Sequence, residues 1–193
     1  MQTAGAMMDC AVNVIGCPAE EFCARFIASG IADRFSKGDV TCVAGKSGVE
    51  LAVEVMRLTG SDVSVSDGTI SMSSPEYWAG WTLAYYQWQS DISFKQLSRL
   101  GLDMCSVSAM FYPLHEADLS VFCCRADDMI RERIESSPHW IKRFRKLNGI
   151  TQEKLSEITG VPIRQIRAYE QKVIDTSNAE NRTISNIRRG LHI

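Results

Sequence analysis

The sequence predicts a mainly α protein in two parts, and three observations carry that prediction. Apolar residues recur at helical spacing through most of the 193 residues. Ser, Thr or Pro before these stretches and Gly after them read as helix starts and stops. Charge changes sign along the chain: residues 1–138 hold 10 Lys and Arg against 18 Asp and Glu (−8), and residues 139–193 hold 11 against 5 (+6). An acidic body with a basic end points to nucleic acid at that end, though a solvated basic face would give the same count.

The N-terminal part, 1–135, reads as several short helices. "PAEEFCARFIASG" puts Phe22 and Phe26 one turn apart, with Glu20 and Glu21 where the helix dipole favours acids. "SGVELAVEVMRLTG" opens with Ser47 and Glu50 in capping-box spacing and closes at Gly60. "DVSVSDGTISM", residues 62–72, alternates apolar and polar residues around Asp67-Gly68, which signals one small β-hairpin in an otherwise helical region. In "SPEYWAGWTLAYYQWQ", Ser74 and Pro75 start a helix on which Trp78, Trp81, Tyr85 and Trp88 form one stripe. That periodicity assigns the stripe to the core and leaves Tyr77 and Tyr86 as contact candidates. "DLSVFCCRADDMIRERI" repeats Leu119, Phe122, Ala126, Met129 and Ile130 at helical intervals.

The chemistry of this first part is unassuming. Seven cysteines, an odd number with no Cys-x-x-Cys pair, read as reduced and mostly buried thiols rather than disulfides, a zinc site or a redox pair. His115, Glu116 and Asp118 in "PLHEADLS" are the one cluster with catalytic or metal-binding residue types. A lone His-x-x-Asp is too unspecific to assign, so no catalytic residue, metal or cofactor is expected and the protein is not expected to be an enzyme. "AGKSG" at 44–48 lacks the spacing of a phosphate-binding loop. No run of eighteen apolar residues occurs, and no basic segment precedes the first apolar stretch. Neither a membrane span nor a secretory signal is therefore expected, and the location expected is cytoplasmic.

"ESSPHW", residues 135–140, is the expected boundary, because Ser136, Ser137 and Pro138 suit the end of one helix and the start of the next. From 138 to 193 four helices are expected. Ile141, Phe144 and Leu147 share one side of "PHWIKRFRKLN", with Lys142, Arg143 and Lys146 largely opposite, and Gly149 closes it. Thr151 caps "QEKLSEIT", whose Leu155 and Ile158 are expected to face inward. Only Val161 separates Gly160 from Pro162, so the next helix, "PIRQIRAYEQ", begins after a very tight turn. A turn this short packs two helices steeply, as in a helix-turn-helix. On a helical wheel Arg164, Ala168 and Gln171 cluster outward, flanked by Gln165 and Arg167, while Ile166 and Tyr169 point inward with Ile163 and Glu170 beside them. Arg suits guanine and Gln suits adenine in a major groove.

"IKRFRKLNGITQEKLSEITGVPIRQIRAYEQ" resembles the Cro/cI-type (XRE) helix-turn-helix family of bacterial and phage repressors. The likeness implies a lambda-repressor-like fold at the C-terminus, double-stranded DNA as partner, a homodimer and a role in transcription regulation. It implies base reading by Ile163, Arg164, Arg167 and Ala168, and the wheel adds Gln165 beside them as a further base-reading candidate. Thr151 and Gln152 would hold a phosphate, Lys142 and Arg143 offer further phosphate contacts, and Arg145 with Glu170 would form a structural ion pair. Pro162 departs from the family's Ser-type cap, and the chain reaches Ile193 short of the fifth helix that many members add. The N-terminal stretches "SGVELAVEV", "SPEYWAGWTLAYYQW" and "LHEAD" resemble an uncharacterised region that precedes such modules in bacterial proteins. A sensing or partner-binding role is expected of this part; the alternative to a DNA-reading regulator is an antitoxin-like or scaffold protein whose helix-turn-helix and N-terminal domains bind a protein partner such as a toxin.

Overall fold

Helix α1 (Gln2–Asp9) carries Ala4, Gly5 and Ala6 at its centre, and these small residues let two other helices come unusually close. The computed structural model describes the chain apart from residues 66–68, 136–138, 175, 177–178 and 192–193, and apart from the side chains of Glu135 and Asn181. The chain divides into two units, Met1–Met129 and Ile130–Ile193. Among the described residues all regular structure is helical.

In the first unit α1 continues into a π-helical turn (Cys10–Val14) and is followed by α2 (Ala19–Ala28), α3 (Ile31–Ser36), α4 (Val40–Val43) and α5 (Gly48–Leu58). Next come α6 (Pro75–Ser90), α7 (Phe94–Arg99), α8 (Met104–Ser108), α9 (Phe111–Leu114) and α10 (Leu119–Glu135), the last of which contains the division between the units. The Ser47–Glu50 capping box forms in full, with Glu50 N donating to Ser47 Oγ at 3.2 Å and Ser47 N to Glu50 Oε2 at 2.8 Å. A Cβ on Gly48 would lie 2.5 Å from Ala6 Cβ, and one on Gly80 would meet the Ala4 carbonyl. Helices α5 and α6 thus both rest on α1 where a side chain is missing. Asp9 is fully buried and ties the end of α1 to the start of α6, accepting from Ser74 Oγ at 2.6 Å and from Ser71 N at 2.9 Å.

This close crossing reverses the expectation for α6. Its buried face is Tyr77, Ala79, Gly80, Thr82, Leu83, Ala84, Tyr86 and Gln87, while Trp88 is 71% exposed and Trp81 and Tyr85 are half-exposed. Gly80 rests on the Ala4 carbonyl and Gly5 of α1 leaves room for Tyr77, so the side of α6 that carries Gly80 and Tyr77 takes the inside and the stripe is turned away from α1. Trp78 alone of the stripe is edge-on to two core rings, those of Phe111 and Phe122, at 5.7 Å. Tyr86, far from being an exposed contact residue, donates its hydroxyl to Asp127. The hairpin expectation is also corrected. Residues 61–65 and 69–70 pair in no strand, and the turn residues 66–68 lie outside the described residues.

The second unit contains α11 (Trp140–Leu147), α12 (Gln152–Thr159), α13 (Ile163–Glu170) and α14 (Asn181–Gly190). Its core is Ile141, Phe144, Leu155, Val161, Ile166, Tyr169, Ile187 and Leu191. Gly149 and Gly160 end α11 and α12 with φ of 65° and 69°, a region glycine enters without steric cost. Ile158 does not face inward as expected but is 50% exposed, and Thr159, one turn after Leu155, is buried instead. Thr159 fits because its hydroxyl donates to Leu155 O at 2.7 Å and accepts from Val161 N at 3.2 Å, while its methyl lies against Gly190. The expected boundary residues Ser136, Ser137 and Pro138 lie outside the described residues.

Candidate nucleic-acid interface

Thr151 begins the site by capping α12, its Oγ1 accepting from Lys154 N at 3.1 Å. Gln152 and Glu153 therefore occupy the first turn of α12. After Gly160 the chain makes its tight turn through Val161, which is buried, and Pro162, which is exposed. Proline needs no donor at the start of α13, which begins without a side-chain cap. The turn closes further as Ser156 Oγ donates to Val161 O at 2.7 Å.

Helix α13 separates its two faces cleanly. Ile166, Tyr169 and Glu170 are buried, Arg164, Arg167 and Gln171 are exposed, and Ile163, Gln165 and Ala168 lie between. The Arg164 side chain makes no hydrogen bond or ion pair to another described residue and is exposed on the open face. Gln165 is engaged within the helix, Nε2 donating to Tyr169 Oη at 2.9 Å. Lys142 and Arg143 are exposed on α11.

Beneath this face lies one buried carboxylate. Arg145 grips Glu170 with two parallel bonds, Nε to Oε1 at 2.6 Å and Nη2 to Oε2 at 3.0 Å, and donates Nη1 to Ile150 O at 2.9 Å. Gln152 Nε2 adds a third bond to Glu170 Oε2 at 2.7 Å. Burial disfavours the charged carboxyl more than any other single influence. Hydrogen bonds from Arg145 and Gln152, with the charges of Arg145 and Lys142, outweigh it and hold Glu170 below its ordinary pKa. The pair joins α11 to α13, and Gln152 joins both to the start of α12. His139 completes the join, its Nδ1 lying 2.9 Å from Glu170 O.

Spacing alone gave no sign that Gln152 would serve the buried pair, because it lies 18 residues from Glu170 and on another helix. Arg167 likewise turns toward α12, Nε donating to Gln152 Oε1 at 3.2 Å and Nη2 to Glu153 Oε1 at 3.3 Å. Elsewhere, His115 is occupied locally, its Nδ1 2.9 Å from Phe111 O and its ring stacked on Phe111 at 4.2 Å. Asp118 accepts from Ser120 N at 2.8 Å at the start of α10. Among the described residues no group of three or more His, Cys, Asp or Glu side chains is placed to hold a metal ion. All seven cysteines are free thiols, with Cys124 exposed, Cys105 half-buried and the other five buried. No helix among the described residues is long and apolar enough to cross a membrane.

Three helices, the tight turn and a basic outer face define the class: a DNA-binding helix-turn-helix module of the Cro/cI (XRE) type, the kind found in transcription regulators. In comparison with known families, residues 141–180 match the family described as Helix-turn-helix, a stretch that takes in α12 and α13 with nearly all of α11 and ends just before α14. No curated protein and no solved structure matches the chain.

Proposed function

We propose that the protein is a sequence-specific, repressor-like transcriptional regulator, cytoplasmic and acting as a homodimer, in which residues 138–193 bind DNA and residues 1–135 sense a signal or bind a partner. In this reading α13 enters the major groove and offers Ile163, Arg164, Gln165, Arg167 and Ala168 to the base edges. Thr151 and Gln152 meet a phosphate at the start of α12, where amide donors and the helix dipole favour an anion, with Lys142 and Arg143 adding phosphate contacts. The observation that carries it is Arg164: exposed, without a protein partner among the described residues, on a helix whose opposite face is locked into the core. A dimer would address half-sites about 34 Å apart, one turn of DNA.

The test is fluorescence-anisotropy binding of the full chain to duplexes tiled across the gene's upstream region at two salt concentrations. Tight, salt-sensitive binding to one fragment that is lost in Arg164→Glu is the expected result. Weak binding to all fragments alike would end the sequence-specific reading.

A second reading is supported by a different observation, the aromatic face of α6. Trp81 and Tyr85 stack with ring centroids 6.3 Å apart and 11° between planes, and Trp88 extends the row into solvent. Exposed aromatic rows are common in protein-binding surfaces. An antitoxin-like or scaffold protein would use this face for a protein partner. Affinity purification in which Trp88→Ala abolishes recovery of one stoichiometric partner would favour that reading.

A further inference from the structure

The two arginines of α13 differ in a way that their sequence spacing conceals. The Arg164 side chain makes no hydrogen bond or ion pair to another described residue, whereas Arg167 is engaged twice, by Gln152 Oε1 and Glu153 Oε1. The Gln152 contact is anchored from below. Its Nε2 donates to Glu170, which Arg145 holds on both oxygens, so the amide is turned with its carbonyl oxygen toward Arg167. An amide nitrogen carries two hydrogens, so Gln152 retains one for a phosphate while steering Arg167. The Glu153 contact is of another kind. Its side chain and that of Arg167 keep 66% and 51% exposure, so the pair is weak and open to exchange. Glu153 also stands in the first turn of α12, where a phosphate is proposed to sit. There its own backbone N–H, the Thr151 hydroxyl and Arg167 all favour its ionised form, so the position carries a negative charge at neutral pH.

Resting on the DNA-binding reading above, we infer that Glu153 is a built-in competitor for DNA: its carboxylate occupies Arg167 in the free protein and is displaced from it by a DNA phosphate on binding. The set of base readers proposed above thereby narrows: Arg167, steered by Gln152, becomes a phosphate contact, and Arg164 is left as the arginine that reads bases. A carboxylate and a phosphate oxygen offer a guanidinium the same kind of acceptor, so the exchange requires no rearrangement of α13. The cost of breaking the internal pair falls on every duplex, which weakens binding to DNA that offers no base contacts in return.

The test is a double-mutant cycle on the full chain with Glu153→Gln, Arg167→Ala and the double variant, using duplexes of the preferred and of random sequence. Glu153→Gln tightens binding in the wild-type background by roughly two- to fivefold, the range set by an exposed ion pair. Its effect shrinks toward onefold when Arg167 is alanine. An equal gain in both backgrounds would mean that Glu153 merely repels DNA at a distance and would overturn the proposal, as would no gain in either. A DNA-free measurement separates this from the DNA-binding reading. In nuclear magnetic resonance spectra the Arg167 side-chain N–H resonances shift in Glu153→Gln while those of Arg164 stay put. Unmoved Arg167 resonances would refute the pair itself. An intact pair in a protein that binds no duplex would refute both the competitor role and the DNA-binding reading.

Discussion

Replacing Glu170 with alanine tests the buried ion pair that holds the second unit together. The side chains of Arg145 and Glu170 are only 12% and 3% exposed. Removing the carboxylate leaves the guanidinium without its two bonds and Gln152 Nε2 without its acceptor. Deleting one partner of a buried pair costs about 3–5 kcal/mol, mostly because the survivor remains desolvated and unpaired. A unit of this size is stable by roughly 3–10 kcal/mol, so the loss is a large share of the total. Hydrogen exchange on the full chain can read this unit separately from the first. At 1.4 kcal/mol per tenfold, amide exchange across residues 152–170 accelerates about a hundredfold or more, while that of α1, α5 and α6 is unchanged. Arg145→Leu combined with Glu170→Leu recovers much of the protection, because an apolar pair leaves no orphaned charge. Acceleration below about threefold in Glu170→Ala would show that the pair does not support the fold. The pH dependence has a defined sign. Glu170 is held below its ordinary value of 4.5, so its contribution is present in full above that value and is lost as pH falls through the folded-state pKa. Glu170→Gln lacks this acid-sensitive component.

Three other outcomes are expected. Arg164→Ala costs about 1–3 kcal/mol at the preferred site and little on random DNA, measured by anisotropy; equal losses on both would count against base reading. Lys142→Ala and Arg143→Ala weaken binding to all sequences and each lower the slope of log affinity against log salt by about one; an unchanged slope would remove that residue from the phosphate contacts. Gly80→Ala drives a methyl group into the Ala4 carbonyl and lowers the thermal midpoint of the first unit, a loss of about 1–3 kcal/mol; wild-type stability would show that α1 and α6 are not in close contact.

The DNA-binding module was legible in the sequence because its signals are local. Thr151, Gly149 and Gly160 mark helix ends through interactions within a few residues, and the inward positions Ile141, Phe144, Leu155, Ile166 and Tyr169 follow from period alone. Helix α1 was not legible. "QTAGAMMD" has little polar contrast between its faces, and its value lies in what it lacks, the side-chain bulk that would keep α5 and α6 away.

Helix α6 makes the limit plain. Apolar and aromatic residues occur all round it, so periodicity finds a stripe but cannot say which side is inside. The glycines at 5 and 80 decide that, by allowing an approach that no tryptophan could fill. The bidentate geometry at Glu170, its third bond from Gln152 and the turning of Arg167 toward Glu153 likewise depend on three helices meeting at one point. Helix starts, stops and periods act over a few residues and are written in order along the chain. Which faces are buried and which charges are shared is set by bulk and distance between segments far apart in the chain, and only the packed structure decides them.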